Sequence, residues 1–82
     1  MTSDKVLEIV NVILQNLTFD EFETKLVKGE KDITIYAYVK KSDMGRVIGK
    51  KGKTANSIRS IIKSMTSDNA EKFFLKIENK PN

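Results

Sequence analysis

The 82-residue chain carries 15 Lys and Arg against 11 Asp and Glu, a net charge of +4, and 39% of its residues are hydrophobic. This length and composition predict a single folded domain over residues 1–82. With no Cys and no His, the chain lacks disulfides and the commonest catalytic base and metal ligand, so we expect neither an enzyme nor a bound metal or cofactor.

The sequence also predicts where in the cell the protein is located. No apolar run approaches the roughly 20 residues that span a bilayer, so we expect no membrane span. The first residues also lack the basic and then apolar layout of a signal peptide. A chain without cysteine suits a reducing compartment, and we expect a cytoplasmic protein.

The first predicted element is an amphipathic helix over residues 4–17, with Ser3 as its N-cap and Asp4 in its first turn. Apolar residues recur in it at helical spacing: Val6, Ile9, Val10, Ile13, Leu14 and Leu17. An extended segment over residues 22–28 and a hairpin loop at Gly29–Asp32 follow. Strict alternation over residues 33–39 then predicts a strand that is buried on one face.

The next elements are a pair of helices and a last strand. Ser42 and Asp43 offer a cap for a short helix over residues 44–48, and a longer helix is expected over residues 53–66. Its predicted buried stripe contains five residues: Ala55, Ile58, Ile61, Ile62 and Met65. Asn69 suits a left-handed helix cap. Alternation over residues 73–78 predicts a further strand.

The predicted order is α-β-β-α-α-β. The strands on either side of the helix pair are joined by a long crossover, which usually leaves them parallel, whereas the hairpin strand adds antiparallel. We therefore expect an α+β domain in which a three-stranded mixed sheet carries its helices on one face.

Positive charge is concentrated in one part of the chain. Residues 40–63 hold eight cations and one carboxylate, a net charge of +7, which leaves −3 for the remainder. A basic region on a slightly acidic body is typical of a protein that binds a polyanion.

Two glycines three residues apart, Gly49 and Gly52, interrupt this basic segment. They predict a tight turn that a nucleic-acid backbone can approach closely. The turn leads into a helix N-terminus, which favours phosphate. Lys50 and Lys51 project from its tip, and apolar residues on either side predict a wall for unpaired bases: Val47, Ile48 and Ile58.

The run Asp43-Met44-Gly45-Arg46-Val47-Ile48-Gly49-Lys50-Lys51-Gly52-Lys53-Thr54-Ala55, followed by Ile58-Arg59, resembles the signature of KH domains. The element order is similar to the type II form, and a chain of this length resembles the small bacterial RNA-binding proteins of the KhpA family. The resemblance implies a G-x-x-G loop that clamps about four nucleotides of single-stranded RNA. It also implies that bases lie between the helix pair and the strand at residues 33–39.

The resemblance and the charge pattern together assign ten residues to RNA: Arg46, Val47, Ile48, Gly49, Lys50, Lys51, Gly52, Lys53, Ile58 and Arg59. The expected function is non-catalytic binding of single-stranded RNA, as a post-transcriptional regulator or RNA chaperone. A single clamp touches few nucleotides, so a homodimer or a second RNA-binding protein of the Jag type is an expected partner.

Several alternatives stay open on the sequence alone. The two glycines also suit a plain helical hairpin, and Arg59 and Lys63 suit a helix that reads DNA. The chain is also compatible with a protein-interaction adaptor or a ribosome-assembly factor. Tyr36, Tyr38 and Phe74 are expected on the sheet face away from the helices. We expect them to pack against one another across the strands or to contact protein, rather than to stack bases.

Overall fold

The computed structural model describes residues 1–81 of the chain. Over those residues it contains three α-helices, a short 3-10 turn and three strands, in the predicted order. Their bounds are α1 Ser3–Leu17, β1 Glu23–Lys28, β2 Asp32–Val39, α2 Lys41–Ile48, the 3-10 turn Lys50–Gly52, α3 Lys53–Met65 and β3 Lys72–Asn79.

Strand β2 lies in the centre of the sheet. It pairs antiparallel with β1, across the hairpin at residues 29–31, and parallel with β3, across the crossover that contains α2 and α3. The predicted mixed sheet is thus confirmed, because a hairpin reverses the chain whereas a helical crossover returns it in the same direction.

The helices cover one face of the sheet and bury its apolar side chains there. Every second residue of β2 is buried, in keeping with the period of two. Helix α1 contributes buried side chains four residues apart, a spacing that keeps them on one face of a helix. The core cluster comprises Val6, Val10, Leu14, Ile35, Ala37, Val39, Val47, Ile58, Ile62 and Leu75.

Three local predictions are wrong. The N-cap of α1 is Thr2, whose hydroxyl accepts a 3.2 Å hydrogen bond from the Lys5 amide, so Ser3 is already helical. Asn69 is no left-handed cap, since Thr66 closes α3 with its amide on the Ile62 carbonyl. Instead the Asn69 side chain makes two hydrogen bonds to Met1, at 3.1 and 2.7 Å.

The third correction concerns Ile61, in α3. The predicted stripe held both Ile61 and Ile62, but these adjacent residues point about 100° apart on the helix, and only Ile62 lies on the side that faces the core. Ile62 is buried, and Ile61 is 43% exposed. None of the helices in residues 1–81 is both long and apolar enough to cross a membrane.

Candidate nucleic-acid interface

The turn between α2 and α3 is tight and rests on backbone conformations that favour glycine. After Ile48 the chain reaches Gly49 at φ 77° and ψ 171°, a region that is almost closed to other residues. The Gly49 amide donates to the Gly45 carbonyl at 2.8 Å, and the Gly52 amide donates to the Gly49 carbonyl at 3.1 Å. Lys51, at φ 55°, is left-handed although it is not a glycine. The loop is therefore fixed by hydrogen bonds on both sides of its tip.

The two glycines are required for different reasons. A Cβ atom on Gly49 would overlap the Thr54 side chain and lie 2.8 Å from the Thr54 amide nitrogen, so the start of α3 packs directly on this residue. A Cβ atom on Gly52 would meet only the Asn56 side chain, at 3.7 Å. Gly52 is needed for its φ of 76° instead.

Positive charge surrounds the turn without a compensating carboxylate. Lys50, Lys51 and Lys53 are exposed, and none of them forms an ion pair with another of residues 1–81. Helix α3 begins at Lys53, and no side chain caps its first turn, because its N-cap is Gly52. Free amide groups and three lysines at one helix end form a surface that attracts phosphate.

The two arginines predicted for RNA are both already engaged within the fold. Arg46 donates to the Asp43 carboxylate at 2.8 Å, while 46% of its side chain is exposed. Arg59 donates from two nitrogens to the Leu75 carbonyl, at 3.3 and 3.1 Å, and from a third to the Asn56 side chain. Arg59 thereby ties α3 to the outer edge of β3.

Asp43 is a buried anchor that the sequence-based reasoning missed. Its carboxylate accepts hydrogen bonds from Arg46 and from the amides of Phe19 and Asp20, at 3.1 and 3.0 Å from the two amides. The Arg46 bond, followed by the Phe19 amide, lowers the Asp43 pKa below its ordinary value of 3.8. The three donors therefore favour the ionised form of this carboxylate.

The prediction that Ser42 and Asp43 cap the short helix is wrong. Helix α2 begins three residues earlier than expected, at Lys41, and its N-cap Lys40 makes no side-chain capping bond. Ser42 donates instead to the Asp20 carboxylate at 3.0 Å. The sequence did contain a signal for this burial. Asp43 precedes the apolar Val47 by four residues, and that spacing places both on the same face of one helix.

The predicted apolar wall is wrong for two of its three residues. Val47 and Ile58 lie in the core beneath the loop, with exposures of 0% and 2%, so they present no surface to a ligand. Ile48 alone is partly accessible. The predicted base groove against β2 is also absent, because the helix-facing side chains of that strand are all buried.

An open groove lies instead between α3 and β3, with a volume of about 550 Å³. Arg59 and Lys63 line it from the helix, and Phe73 and Leu75 line it from the strand. Arg59 follows Gly52 by seven residues, which is about 10 Å along a helix axis at roughly 1.5 Å per residue. The groove therefore begins about two helical turns from the glycine loop.

The element order and the Gly49–Gly52 turn between two stacked helices define a KH domain of the type II form. Residues 3–77 match the family model described as "KhpA/KhpB, KH domain". The chain belongs to this KhpA/KhpB family of KH domains.

Several bacterial relatives are similar over most of their length. The RNA-binding protein KhpA of Listeria monocytogenes is 37% identical over 73 residues, 85% of this chain and 95% of that protein. The RNA-binding protein KhpA of Clostridium perfringens is 32% identical over 72 residues, 85% of this chain and 96% of that protein. That of Borreliella burgdorferi is 34% identical over 58 residues, 68% and 71% of the two chains. No solved structure gives a significant match.

Proposed function

We propose that this single KH domain binds single-stranded RNA without catalysis. The observation that carries the proposal is the Gly49–Gly52 turn, where an open backbone position at Gly52, an uncapped helix N-terminus and unpaired lysines meet. The relatives' shared description as RNA-binding proteins supports RNA as the polyanion.

The two parts of the site have different roles in this proposal. The turn holds the sugar-phosphate chain through the backbone of Gly49 and Gly52 and the charges of Lys50, Lys51 and Lys53. The groove between α3 and β3 receives the bases, and partly accessible Ile48 provides an apolar contact beside the turn. Arg46 and Arg59 keep these surfaces in position, and the proposal assigns no contact to buried Val47 and Ile58.

The wider role follows from the small size of the site. One clamp reads few nucleotides, so useful affinity requires a second binding unit, either another copy of this chain or an RNA-binding protein of the Jag type. The family name, which pairs KhpA with KhpB, supports the second possibility. We propose cytoplasmic action on RNA as a post-transcriptional regulator or RNA chaperone.

A matched pair of charge reversals tests the clamp. Lys50→Asp with Lys51→Asp changes the charge at the turn by four units and sets carboxylates against phosphates, so affinity for a labelled ten-nucleotide RNA should fall at least a hundredfold. Lys25→Asp with Lys76→Asp makes the same change on the sheet face away from the helices, and should weaken binding less than fivefold. Fluorescence anisotropy measures both, at one salt concentration because phosphate contacts depend on salt.

Circular dichroism and thermal melting confirm that each double variant is folded, which is expected because all four lysines are exposed. If the folded Lys50 and Lys51 variant binds as the unchanged chain does, the clamp is wrong. If the two double variants lose affinity equally, the protein attracts RNA by net charge alone.

A further inference from the structure

The loop between α1 and β1 presents an aromatic side chain to solvent. Phe19 is 84% exposed, the largest exposed fraction of any large apolar side chain in residues 1–81. Contact of so much apolar surface with water is unfavourable, and phenylalanine is among the residue types most often found buried. A ligand that covers the Phe19 ring therefore gains free energy from the surface it removes from water.

The backbone that carries Phe19 is held in place by the buried Asp43 carboxylate. One carboxylate oxygen accepts a hydrogen bond from the Phe19 amide at 3.1 Å, and the other accepts one from the Asp20 amide at 3.0 Å. The Asp20 carboxylate in turn accepts from the Ser42 hydroxyl at 3.0 Å. Because Asp43 and Ser42 both belong to α2, these bonds fix the loop against that helix.

Arg46 orients the aromatic ring. Its guanidinium carbon lies 4.2 Å from the centroid of the Phe19 ring, which is a cation–π contact. One Arg46 nitrogen donates to Asp43 at 2.8 Å, so the carboxylate that holds the loop also holds the guanidinium. The other two nitrogens donate to none of residues 1–81. The guanidinium thus covers one face of the ring and leaves the other face to solvent.

The Phe19 ring and the Arg46 guanidinium form a surface that we call the Phe19 platform. Arg46 precedes Gly49 by three residues, which is about 4.5 Å along a helix axis at roughly 1.5 Å per residue. The Phe19 platform therefore lies beside the last turn of α2, next to the Gly49–Gly52 turn. It is reached from that turn along α2, whereas the groove beside β3 is reached along α3.

The chemistry of the Phe19 platform suits a nucleobase. Unpaired bases stack on aromatic side chains and on arginine guanidinium planes, and this surface contains one of each. A base carries no charge and is not repelled by the neighbouring carboxylates, which are all engaged within the fold: Asp20, Glu21 and Asp43. The net charge of +7 on residues 40–63 brings RNA to this side of the domain and favours RNA over a protein as the ligand.

We propose that an unpaired base of the bound RNA stacks on the open face of the Phe19 ring, opposite Arg46. This inference rests on the proposed binding of RNA at the Gly49–Gly52 turn, and it extends the RNA contact beyond the nucleotides held there. Every base has a flat π face, so an aromatic platform accepts all four. The Phe19 platform therefore adds affinity for longer RNA without adding a sequence preference, and Arg46 acts in it as a positioning residue.

RNA length separates the Phe19 platform from the clamp. A four-nucleotide RNA occupies the turn and its groove, whereas a ten-nucleotide RNA also reaches Phe19. Phe19→Ala should weaken binding of the longer RNA about tenfold, as expected for the loss of one stacked base, and should leave binding of the shorter RNA unchanged. Val12→Ala, which shortens another exposed apolar side chain, is the control and should change neither affinity. Fluorescence anisotropy measures the longer RNA, and NMR titration measures the shorter one.

Phe19→Trp reports the stacking directly. The chain contains no tryptophan, so the indole emission of this variant comes from position 19 alone. A base that stacks on the indole quenches its emission. The ten-nucleotide RNA should therefore quench the variant strongly, and the four-nucleotide RNA should leave its emission unchanged. Because an indole also provides a stacking surface, Phe19→Trp should bind the ten-nucleotide RNA at least as tightly as the unchanged chain does.

Thermal melting confirms that the variants are folded, which is expected because the Phe19 side chain is exposed. Three results would overturn the proposal. The first is Phe19→Ala binding the ten-nucleotide RNA as the unchanged chain does. The second is indole emission that saturating RNA does not quench, which would leave the ring free for a protein partner. The third is an equal loss of affinity for both RNA lengths, which would mean that Phe19 supports the turn.

Failure of the Phe19 platform and failure of the clamp give different results. If Lys50→Asp with Lys51→Asp still binds RNA while RNA quenches Phe19→Trp, the proposed clamp fails and the Phe19 platform stands. If that charge reversal abolishes binding while Phe19→Ala binds normally, the clamp stands and the Phe19 platform fails.

Discussion

The Gly49–Gly52 turn and the open sheet face lie on different sides of one small domain and are built in opposite ways. The open sheet face is the side of the sheet away from the helices, and its outward residues are Glu23, Lys25, Val27, Thr34, Tyr36, Tyr38, Phe74, Lys76 and Glu78. The turn uses unusual backbone conformations and concentrates positive charge without partners. The open sheet face has regular strand backbone, and its charges cancel in ordered rows. A surface with concentrated unpaired charge attracts a polyanion at a distance, whereas opposite charges in neighbouring rows cancel there and add little to such attraction.

The two regions also differ in their cost to stability. The turn holds Gly49 in a region that is almost restricted to glycine and Lys51 in the left-handed region, which costs about 1–2 kcal/mol for a residue with a Cβ. The sheet face carries no such strain. Strained backbone conformations of this kind cluster at binding sites in proteins, and here the strain lies beside a concentration of positive charge.

The largest effect that separates the regions should come from Gly49→Ala. The methyl group meets Thr54 and the backbone has a φ of 77°, so we expect a loss of about 2–4 kcal/mol in unfolding free energy. Because the turn must shift, affinity for a ten-nucleotide RNA should fall at least tenfold. Urea unfolding and anisotropy measure the two quantities.

Gly45→Ala is the matched control for this change. Gly45 lies within α2, and apart from its chain neighbours and the backbone of its own helix no atom comes within 4 Å of a Cβ added there. Alanine is the better helix former, so this variant should gain about 0.5–1 kcal/mol and keep its RNA affinity. Equal stability of the two alanine variants would show that the turn is not conformationally restricted.

A smaller effect should separate single-stranded from duplex RNA. Both forms offer phosphates to the turn, but only unpaired bases can enter the groove between α3 and β3, since the major groove of A-form RNA is deep and narrow. One or two seated bases at about 1 kcal/mol each favour the single strand roughly 5- to 30-fold. Competition with unlabelled strand and duplex measures the ratio, and equal competition would mean that the site reads charge alone.

The sequence predicted the elements well because their hydrophobic periods are regular. The alternation in β2 and the helical stripe in α1 specify which faces are buried, and the crossover between β2 and β3 specifies their direction. The glycine turn was also predicted, because the requirement for glycine is local and depends on the backbone more than on distant contacts.

The errors in the site have a different origin. Val47 and Ile58 are apolar residues beside the turn, and only the three-dimensional packing decides whether such a residue lines a groove or fills the core. Asp43 was misjudged because its partners, the amides of Phe19 and Asp20, lie more than 20 residues away in the chain. Contacts of that separation leave no periodic signal in a single sequence.

The smallest effect concerns two neighbouring lysines at the tip of the turn. Lys51 is left-handed, with a φ of 55°, whereas Lys50 has a negative φ. Lys51→Gly relieves the left-handed strain and should raise the unfolding free energy by up to about 1 kcal/mol, or roughly 4–8 °C in Tm. Lys50→Gly adds freedom to the unfolded chain without relieving strain and should lower stability by about 0.4–1 kcal/mol. Each removes one positive charge, so both should weaken RNA binding by a few fold.

Opposite stability changes with equal losses of affinity would show that the Lys51 side chain contributes to RNA binding at a cost in backbone strain. Two destabilised variants would show instead that the lysine side chains themselves stabilise the turn.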